Sequence, residues 1–407
     1  MPSLLPEASL VGARARLALA EAAGAGVRPR LDFIDALRGA VIALMVLDHT
    51  RDFFGSSEMN PRDVTQSALF LTRWVTHFCA PLFILLAGVS AHLYGSRGHA
   101  VVEIRRFLLT RGLWLIALEL TLVRVAWTFA PVPDYLILQV IWAIGCSMVI
   151  LSGLVSLPRW AIGVFGVALI AGHDLFDYSI RPEVFGWFGG LWTLLHEQAM
   201  LHPGANTTLF VVYPLIPWVG VMALGYALGP LFELSAERRR RALGVLGVGA
   251  IAAFVGLRLL GAYGDPAPWA PRATALESLL AFLDCEKYPP SLLYLLMTLG
   301  PGFVWLALAR GTGTVSRWLT TIGRTPLFYY LAHLFLLHGL AVALVWLSGG
   351  STDFLFGAAP LRKPQGYGLS LPGVYALALG VVVALYPIGR RFSEFKQRNR
   401  SWWLSYF

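Results

Sequence analysis

Long apolar runs recur along this chain from Leu37 onward. Each run covers about 18 to 22 residues, which at about 1.5 Å rise per residue crosses a hydrocarbon layer about 30 Å thick. Backbone groups in lipid need internal partners, and runs of this length are too long for barrel strands, so we expect helices. Only 14% of the residues are charged, which excludes a water-soluble domain of this size. The sequence therefore predicts an all-α fold, a polytopic bundle of transmembrane helices.

About ten spans are predicted, which places both termini on one side of the membrane. Arginines cluster beside that side, including the run Arg238–Arg241, and the positive-inside rule makes it cytoplasmic. The longer connections, 174–206, 262–289 and 347–369, then lie outside, and Trp187 and Trp192 suggest a short interfacial helix in the first of them. The predicted spans are 33–54, 68–94, 106–128, 135–157, 159–173, 207–231, 242–261, 290–310, 318–346 and 370–389.

Three segments are predicted: a cytoplasmic lead-in over 1–29, a transmembrane domain over 30–392, and a basic, aromatic cytoplasmic tail over 393–407. The net charge of +9 does not indicate a nucleic-acid partner, because the basic residues are dispersed over short loops. The three cysteines lie in different segments without disulfide or zinc spacing, so we expect no metal.

The first predicted span carries charged residues at both of its ends. Arg38 and His49 are eleven positions apart, which at about 100° per residue places them within about 20° of one helix face and roughly 16 Å apart along the axis. Asp52 lies one turn beyond His49, and Asp48 precedes it, so either carboxylate could orient the imidazole. This span therefore offers a cation near the cytoplasm and a base near the outside.

Further ionisable side chains lie inside other predicted spans, where each is a functional candidate because burying it in lipid is costly. A structural hydrogen bond between helices explains a single membrane histidine at least as well as catalysis does. We interpret Glu119 and Arg124 as a packing ion pair. Counting from the basic loops places Glu119 and His333 in the outer half of the membrane with His49 and His77, where they could form a catalytic chamber. The remaining candidates are Arg73 and His338.

The string LRGAVIALMVLDHTRDFF from Leu37 resembles the first core helix of the transmembrane acyltransferase superfamily, in which an arginine is followed after ten residues by a histidine. More closely, the chain resembles the bacterial membrane family related to heparan-alpha-glucosaminide N-acetyltransferase, over about residues 30 to 390. The strings that carry this resemblance are FLTRWVTHFCAPLFILLAG from Phe70, ELTLVRVAW from Glu119, YPLIPWVGVMALGYALG from Tyr213, YGDPAPW from Tyr263, KYPPSLLYLLMTLGP from Lys287 and GRTPLFYYLAHLFLLH from Gly323.

The resemblance implies a bacterial inner-membrane enzyme that moves an acyl group, most simply acetyl, from cytoplasmic acyl-CoA to an amine or hydroxyl on the far side. Arg38 and His49 match the superfamily pattern. The lysosomal relative carries its catalytic histidine in the loop after this helix, whereas residues 55–67 here contain none. His49 itself must then serve, or the transfer chemistry differs. Implied partners are acyl-CoA, a periplasmic glycan or lipid-linked acceptor, and the bilayer. A homodimer is possible, and the sequence does not determine the oligomeric state.

Combining residues and resemblance gives a mechanistic hypothesis. His49 acts as general base on the acceptor, or carries the acyl group transiently, and Asp52 or Asp48 orients it. Arginine forks suit phosphate, so cationic side chains near the cytoplasm would hold the CoA phosphates. The predicted CoA-binding residues are Arg38 with Arg105, Arg106 or Arg111, and the predicted acceptor-binding residues are Arg73, His77, Glu119, Lys287, Tyr288 and His333.

Two other readings of the same polar residues stay open. In a proton-coupled transporter or flippase of a small solute or lipid-linked sugar, they would line a transport pathway. In a non-catalytic membrane scaffold, they would be wholly paired with one another. Neither reading uses the spacing of Arg38 and His49, which fits a donor arm held along one helix.

Overall fold

The structure is a computed structural model. It describes residues 31–132, 135–176, 180–204, 207–309, 313–357, 363–399, 401 and 404. Most of these residues are helical. The α-helices, in chain order, are α1 Asp32–Phe54, α2 Ser67–Thr76, α3 Cys79–Gly95, α4 Val101–Leu118, α5 Arg124–Thr128, α6 Val140–Leu154, α7 Arg159–Gly172, α8 Gly189–His196, α9 Leu215–Leu228, α10 Ala236–Leu260, α11 Ala275–Leu283, α12 Leu292–Leu308, α13 Thr314–Gly323, α14 Pro326–Leu347 and α15 Leu371–Arg398.

Six helical stretches in the described part of the chain are long and apolar enough to cross a membrane, so the chain is a multi-pass membrane protein. Two shorter apolar helices, α6 and α12, accompany them. The full set of ten spans and the side on which the termini lie stay predictions. The six stretches are Ser67–Gly95, Arg159–Phe176, Leu215–Glu233, Ala236–Leu260, Pro326–Leu347 and Leu371–Arg398.

Helix α1 begins where predicted and is buried along most of its length. Glycines allow α13 to cross it closely: a Cβ at Gly39 would overlap the carbonyl oxygen of Leu319, and one at Gly323 would overlap that of Asp35. On its other sides α1 contacts α3, where the Cys79 thiol meets a carbonyl of α1, and α14. The helix with both predicted active residues is therefore held among three neighbours rather than facing lipid.

Several predicted spans differ from the structure. The prediction of helix from residue 135 and from residue 207 was wrong, because strands β1 Tyr135–Leu138 and β3 Thr207–Val211 precede α6 and α9. These segments pair instead in a sheet of order β1-β3-β2, in which β2 is Ala199–Gly204. Apolar residues alone do not distinguish a buried strand from a helical turn. The predicted span 318–346 is two helices, α13 and α14, and the proline at the first position of α14 accounts for the break.

A buried arginine fixes the connection between α10 and α12. The Arg258 guanidinium donates to the backbone carbonyls of Ala267, Ala281, Phe282 and Asp284, and its Nη1 lies 3.5 Å from a carboxylate oxygen of Asp265. A charge buried in this way needs such a full set of partners. The connection is thereby held against the end of α10, and it places residues 284–288 beside α2.

The connection between α14 and α15 packs against the C-terminal end of α1. The amide of Leu369 donates to the Phe54 carbonyl at 2.6 Å, and the Tyr367 hydroxyl donates to the Phe53 carbonyl at 2.7 Å. Lys363 donates to two further carbonyls of the same helix end. These bonds satisfy the last carbonyls of α1, which have no partner within the helix. In the connection 174–206, the helix Gly189–His196 confirms the predicted short helix around Trp192, while its place at the membrane interface stays a prediction.

Candidate active site

His49 of α1 and His333 of α14 form a buried pair. The Nδ1 atom of His49 lies 2.7 Å from the Nε2 atom of His333, and the rings stack with centroids 5.0 Å apart. The Nδ1 atom of His333 lies 2.6 Å from the Tyr329 carbonyl oxygen, one turn back on α14. The prediction that these two histidines lie in one polar cluster is confirmed by this contact.

The bonding partners determine which nitrogen carries each proton in the neutral pair. A carbonyl oxygen only accepts, so Nδ1 of His333 carries a proton and its Nε2 is left as an acceptor. Nδ1 of His49 then donates to that Nε2, which leaves a lone pair on Nε2 of His49. That atom has no hydrogen-bond partner among the described residues and is not fully buried, while the residue as a whole is 8% exposed. The site therefore presents an oriented, unprotonated imidazole nitrogen.

Aromatic and acidic side chains surround the pair. Trp127 packs edge-on against the His49 ring at 5.0 Å, and Tyr330 lies 6.2 Å from it. The indole of Trp127 and the hydroxyl of Tyr330 lie close enough to hydrogen-bond with each other. Oε1 of Glu119 is buried without a hydrogen-bond partner in the described residues. Unsatisfied buried polar groups are uncommon, and a polar ligand beside Glu119 would explain this one. Sequence reasoning missed Tyr330, although it lies three residues before His333 on the same helix face.

The predicted role of Asp48 or Asp52 in orienting His49 was wrong. His333 occupies the orienting position, and both carboxylates instead bind Arg51, whose Nη2 lies 2.6 Å from Asp48 and 3.2 Å from Asp52. Asp48 also accepts a hydrogen bond of 2.9 Å from the Thr76 hydroxyl. A carboxylate one helical turn from His49 can bind any donor close to it in space as well as the imidazole. Here both carboxylates bind the Arg51 guanidinium, whose charge-assisted hydrogen bonds are the stronger ones.

The predicted ion pair between Glu119 and Arg124 was also wrong. A π-helical turn over Glu119–Val123 separates the two side chains. Oε2 of Glu119 accepts from the Trp142 amide at 2.9 Å and so caps the start of α6, where carboxylates are favourable. The Arg124 guanidinium donates instead to the carbonyls of Ala130 and Val132 at 3.0 and 3.1 Å. The π-helical turn thus aims Glu119 at the helix end and leaves its Oε1 atom free near Tyr330.

The four predicted residues Arg73, His77, Lys287 and Tyr288 do lie together, close to Asp48. Nη1 of Arg73 is 3.3 Å from Asp284, and the Lys287 ammonium lies over the Tyr288 ring, 5.1 Å from its centroid. The electrostatic influence of Lys287 reaches both His49 and His77. Their predicted part in binding an acceptor stays a prediction.

Lys363 also binds the C-terminal end of α1, although no pattern in the sequence predicts this contact. Its Nζ donates to the carbonyls of Arg51 and Gly55 at 3.1 and 2.8 Å. Burial lowers the pKa of Lys363 to about 8, against an attraction to Asp52 that raises it. The neutral amine keeps two N–H groups, so both hydrogen bonds remain when the proton leaves.

Arg38 lies at the other end of α1 and contacts α3. Its guanidinium pairs with Asp35 at 3.0 Å and donates to the Ser90 hydroxyl and, at 3.3 Å, to the Leu86 carbonyl. Arg105 and Arg106 are exposed on α4 and form no ion pair with a described residue. Arg111, half-buried, lies over the Phe107 ring. The structure thus fixes Arg38 in place, while the grouping of these four arginines around CoA stays a prediction.

Apolar side chains separate the two ends of the site along α1. Ile42 and Met45 lie on the face between Arg38 and His49, and both are buried. A donor arm that reaches His49 from the Arg38 end has to pass these two side chains. Among the described residues no group of three or more histidine, cysteine, aspartate or glutamate side chains could hold a metal ion.

Comparison with known proteins assigns this arrangement to a family. The family described as heparan-alpha-glucosaminide N-acetyltransferase, catalytic, matches residues 30–263, which is more than half of the chain. The chain belongs to this family. Helices α1 to α10 lie within the matched region, whereas Lys287 and His333 lie beyond it. No curated protein matches the chain. The resemblance inferred from the sequence is thereby confirmed, and the chain is a membrane acetyltransferase-like enzyme.

Proposed function

We propose that this protein transfers an acyl group, acetyl in the simplest case, from cytoplasmic acyl-CoA to a hydroxyl or amine of an acceptor on the outer side of a bacterial inner membrane. The single observation that carries the proposal is the unprotonated Nε2 atom of His49. The imidazole is oriented by the hydrogen bond of 2.7 Å between its Nδ1 atom and Nε2 of His333. Family membership supplies the reaction class. The acceptor in mind is a periplasmic glycan or a lipid-linked sugar.

The chemistry follows from the tautomers of the two rings. Nε2 of His49 takes the proton of the acceptor O–H or N–H as that oxygen or nitrogen attacks the thioester carbonyl carbon. His333 stabilises the imidazolium that forms, because its Nε2 still accepts the Nδ1 proton of His49. When the C–S bond breaks, the proton on His49 passes to the departing sulfur, which leaves as the free thiol of CoA. The site then returns to its starting protonation state.

Positioning of the donor is assigned to the opposite end of α1. Arg38 is held by Asp35 and Ser90, and a guanidinium so oriented suits a phosphate oxygen. The pantetheine arm would then lie along the face formed by Ile42 and Met45, whose apolar side chains suit its methylene groups. Arg38 and His49 are roughly 16 Å apart along the helix, which is the rise of eleven residues. The phosphates can therefore stay near one membrane surface while the thioester reaches His49.

The test is transfer of label from radiolabelled acetyl-CoA to glucosamine by the purified protein in detergent. We expect His49→Ala to lower kcat about 10²- to 10⁴-fold, as loss of a general base does. The matched control is His99→Ala, which removes a half-buried histidine that stacks on Tyr94 and lies 50 positions after His49 in the sequence. Wild-type kcat in a folded His49→Ala variant would refute the assignment. Accumulation of a solute in proteoliposomes without CoA would favour the transporter reading.

A further inference from the structure

Lys287 is a buried cation without an ion-pair partner. It is 9% exposed, and no carboxylate oxygen of a described residue lies within 4.0 Å of its ammonium. Among the described residues, its side chain bonds only the neighbouring Tyr288. Taking an ammonium out of water is costly, and the cost is ordinarily offset by a carboxylate at close range. The residue lies in the connection before α12.

The other cations at this end of the site already have partners, although Nη1 of Arg51 is buried without one among the described residues. Arg51 contacts Asp48 and Asp52, at 2.6 and 3.2 Å, and Arg73 contacts Asp284 at 3.3 Å. Lys363 bonds two carbonyls, and the acidic neighbour of Lys287 in sequence, Glu286, pairs with Arg62 at 2.8 Å. The carboxylate that most attracts Lys287 is Asp48, which Arg51 and Thr76 already hold. Lys287 therefore has neither a carboxylate nor a backbone carbonyl as a close partner of its ammonium among the described residues.

A second buried group beside Lys287 is also unsatisfied. Both ring nitrogens of His77 are buried without a hydrogen-bond partner among the described residues, and the ring is 2% exposed. His77 follows Arg73 by one helical turn at the end of α2, and its strongest charge interaction is with Lys287. The backbone carbonyl of His77 accepts a hydrogen bond of 2.8 Å from the Tyr294 hydroxyl, which fixes the chain there. A buried ring with an unpaired donor and a cation thus lie within electrostatic range of each other.

Lys287 keeps its charge despite this burial. Burial lowers the pKa of its ammonium, but the interactions with Tyr288 and Asp48 outweigh that effect, so the pKa lies above the ordinary value. Lys287 is therefore protonated in the folded protein and can attract a negatively charged ligand.

We propose that Lys287 and His77 form an anion subsite that binds a carboxylate, sulfate or phosphate group carried by the acceptor. The inference rests on the proposed function and adds to it the chemical class of the acceptor: a hydroxyl or amine compound with a negative charge close to the accepting group. The ammonium supplies the charge, and an N–H of the His77 ring supplies a hydrogen bond. The phosphates of CoA are a second source of such an anion, but they are assigned to Arg38, about 16 Å away along α1.

The experiment compares three acceptors with purified protein and acetyl-CoA: glucosamine, glucosamine 6-phosphate and muramic acid. We expect wild type to favour the two anionic acceptors. Lys287→Met should lower kcat/KM about 10- to 100-fold for these two and less than about threefold for glucosamine, which is the loss expected for one charge-assisted hydrogen bond. Lys287→Arg should restore part of the preference. The control is Arg62→Gln, which removes an exposed positive charge nearby.

Three results would overturn the subsite. Wild type could fail to distinguish the acceptors, Lys287→Met could lower the rate with all three equally, or only KM for acetyl-CoA could rise. The last result would assign the cation to the donor phosphates.

Calorimetric titration without acetyl-CoA separates this inference from the proposed function. Binding of glucosamine 6-phosphate that Lys287→Met abolishes and Arg62→Gln retains supports the subsite even if no acyl transfer is found. Transfer that depends on His49, with no measurable anion binding to wild type and no difference between Lys287→Met and wild type, keeps the proposed function and rejects the subsite. A variant that elutes as aggregate in size-exclusion chromatography is replaced by Lys287→Gln, which keeps a polar end group.

Discussion

Replacing His333 tests the pair of His49 and His333 while keeping His49, the proposed general base. In His333→Leu, Nδ1 of His49 loses the acceptor that lies 2.7 Å away. That hydrogen bond becomes charge-assisted only when His49 takes the acceptor proton, and such a bond contributes about 1.5 to 3 kcal/mol. We therefore expect kcat to fall about 10- to 100-fold while KM for both substrates stays within about twofold, because the lost interaction strengthens in the transition state.

A second substitution at the same position makes the comparison specific. The side-chain amide oxygen of His333→Gln can reach the place of the Nε2 atom and accept the same hydrogen bond, so this variant should keep more activity than His333→Leu. Both substitutions change a fully buried residue, so the unfolding midpoint of each purified variant in detergent is measured alongside. Equal loss of activity in the two variants would indicate a packing effect instead of a lost acceptor.

The double variant gives the decisive result. If His333 acts only through His49, then His49→Ala combined with His333→Leu should be no slower than His49→Ala alone. The assay is steady-state transfer of acetyl from acetyl-CoA. The role of His333 in orienting His49 would be refuted if the two single effects on kcat multiplied in the double variant. It would also be refuted if His333→Leu kept wild-type kcat while His49→Ala was inactive.

Four further outcomes are expected. Arg38→Gln should raise KM for acetyl-CoA about 10- to 100-fold with kcat little changed, since one charge-assisted contact to phosphate is lost; an unchanged KM contradicts its role. Met45→Trp should block the apolar face and abolish transfer to outer acceptors, whereas Leu44→Trp on another face should not; equal activity in both argues against that route. Gly39→Ala should destabilise the fold by about 1 to 3 kcal/mol, seen as a lower unfolding midpoint, because the new methyl group overlaps α13. The pKa of Lys363 is lowered from 10.5 to about 8, so the folded chain releases this proton at lower pH than the unfolded chain does. The free energy of unfolding of wild type should therefore rise between these pH values, and that of Lys363→Met should not. Parallel curves of unfolding free energy against pH for the two proteins would contradict the lowered pKa.

The membrane class of this protein and the placement of Arg38 and His49 on one helix could be predicted from the sequence. Both depend on local geometry. A helix in lipid satisfies its own backbone, so the length and polarity of a run are enough to identify it, and the rise and rotation per residue place two side chains on one face whatever surrounds them. The family resemblance was readable for the same reason where it depends on the string from Leu37, which lies within α1.

The partners of those side chains were decided only in three dimensions. His49 meets His333 across 284 positions of sequence, whereas the carboxylates close to it along the helix are taken by Arg51. The apolar segments over 135–138 and 207–211 became strands because each found a neighbour to pair with. The packing of whole helices determines which side chains form hydrogen bonds and ion pairs with one another. The spacing of residues along one helix does not predict which side chain of another helix lies next to them.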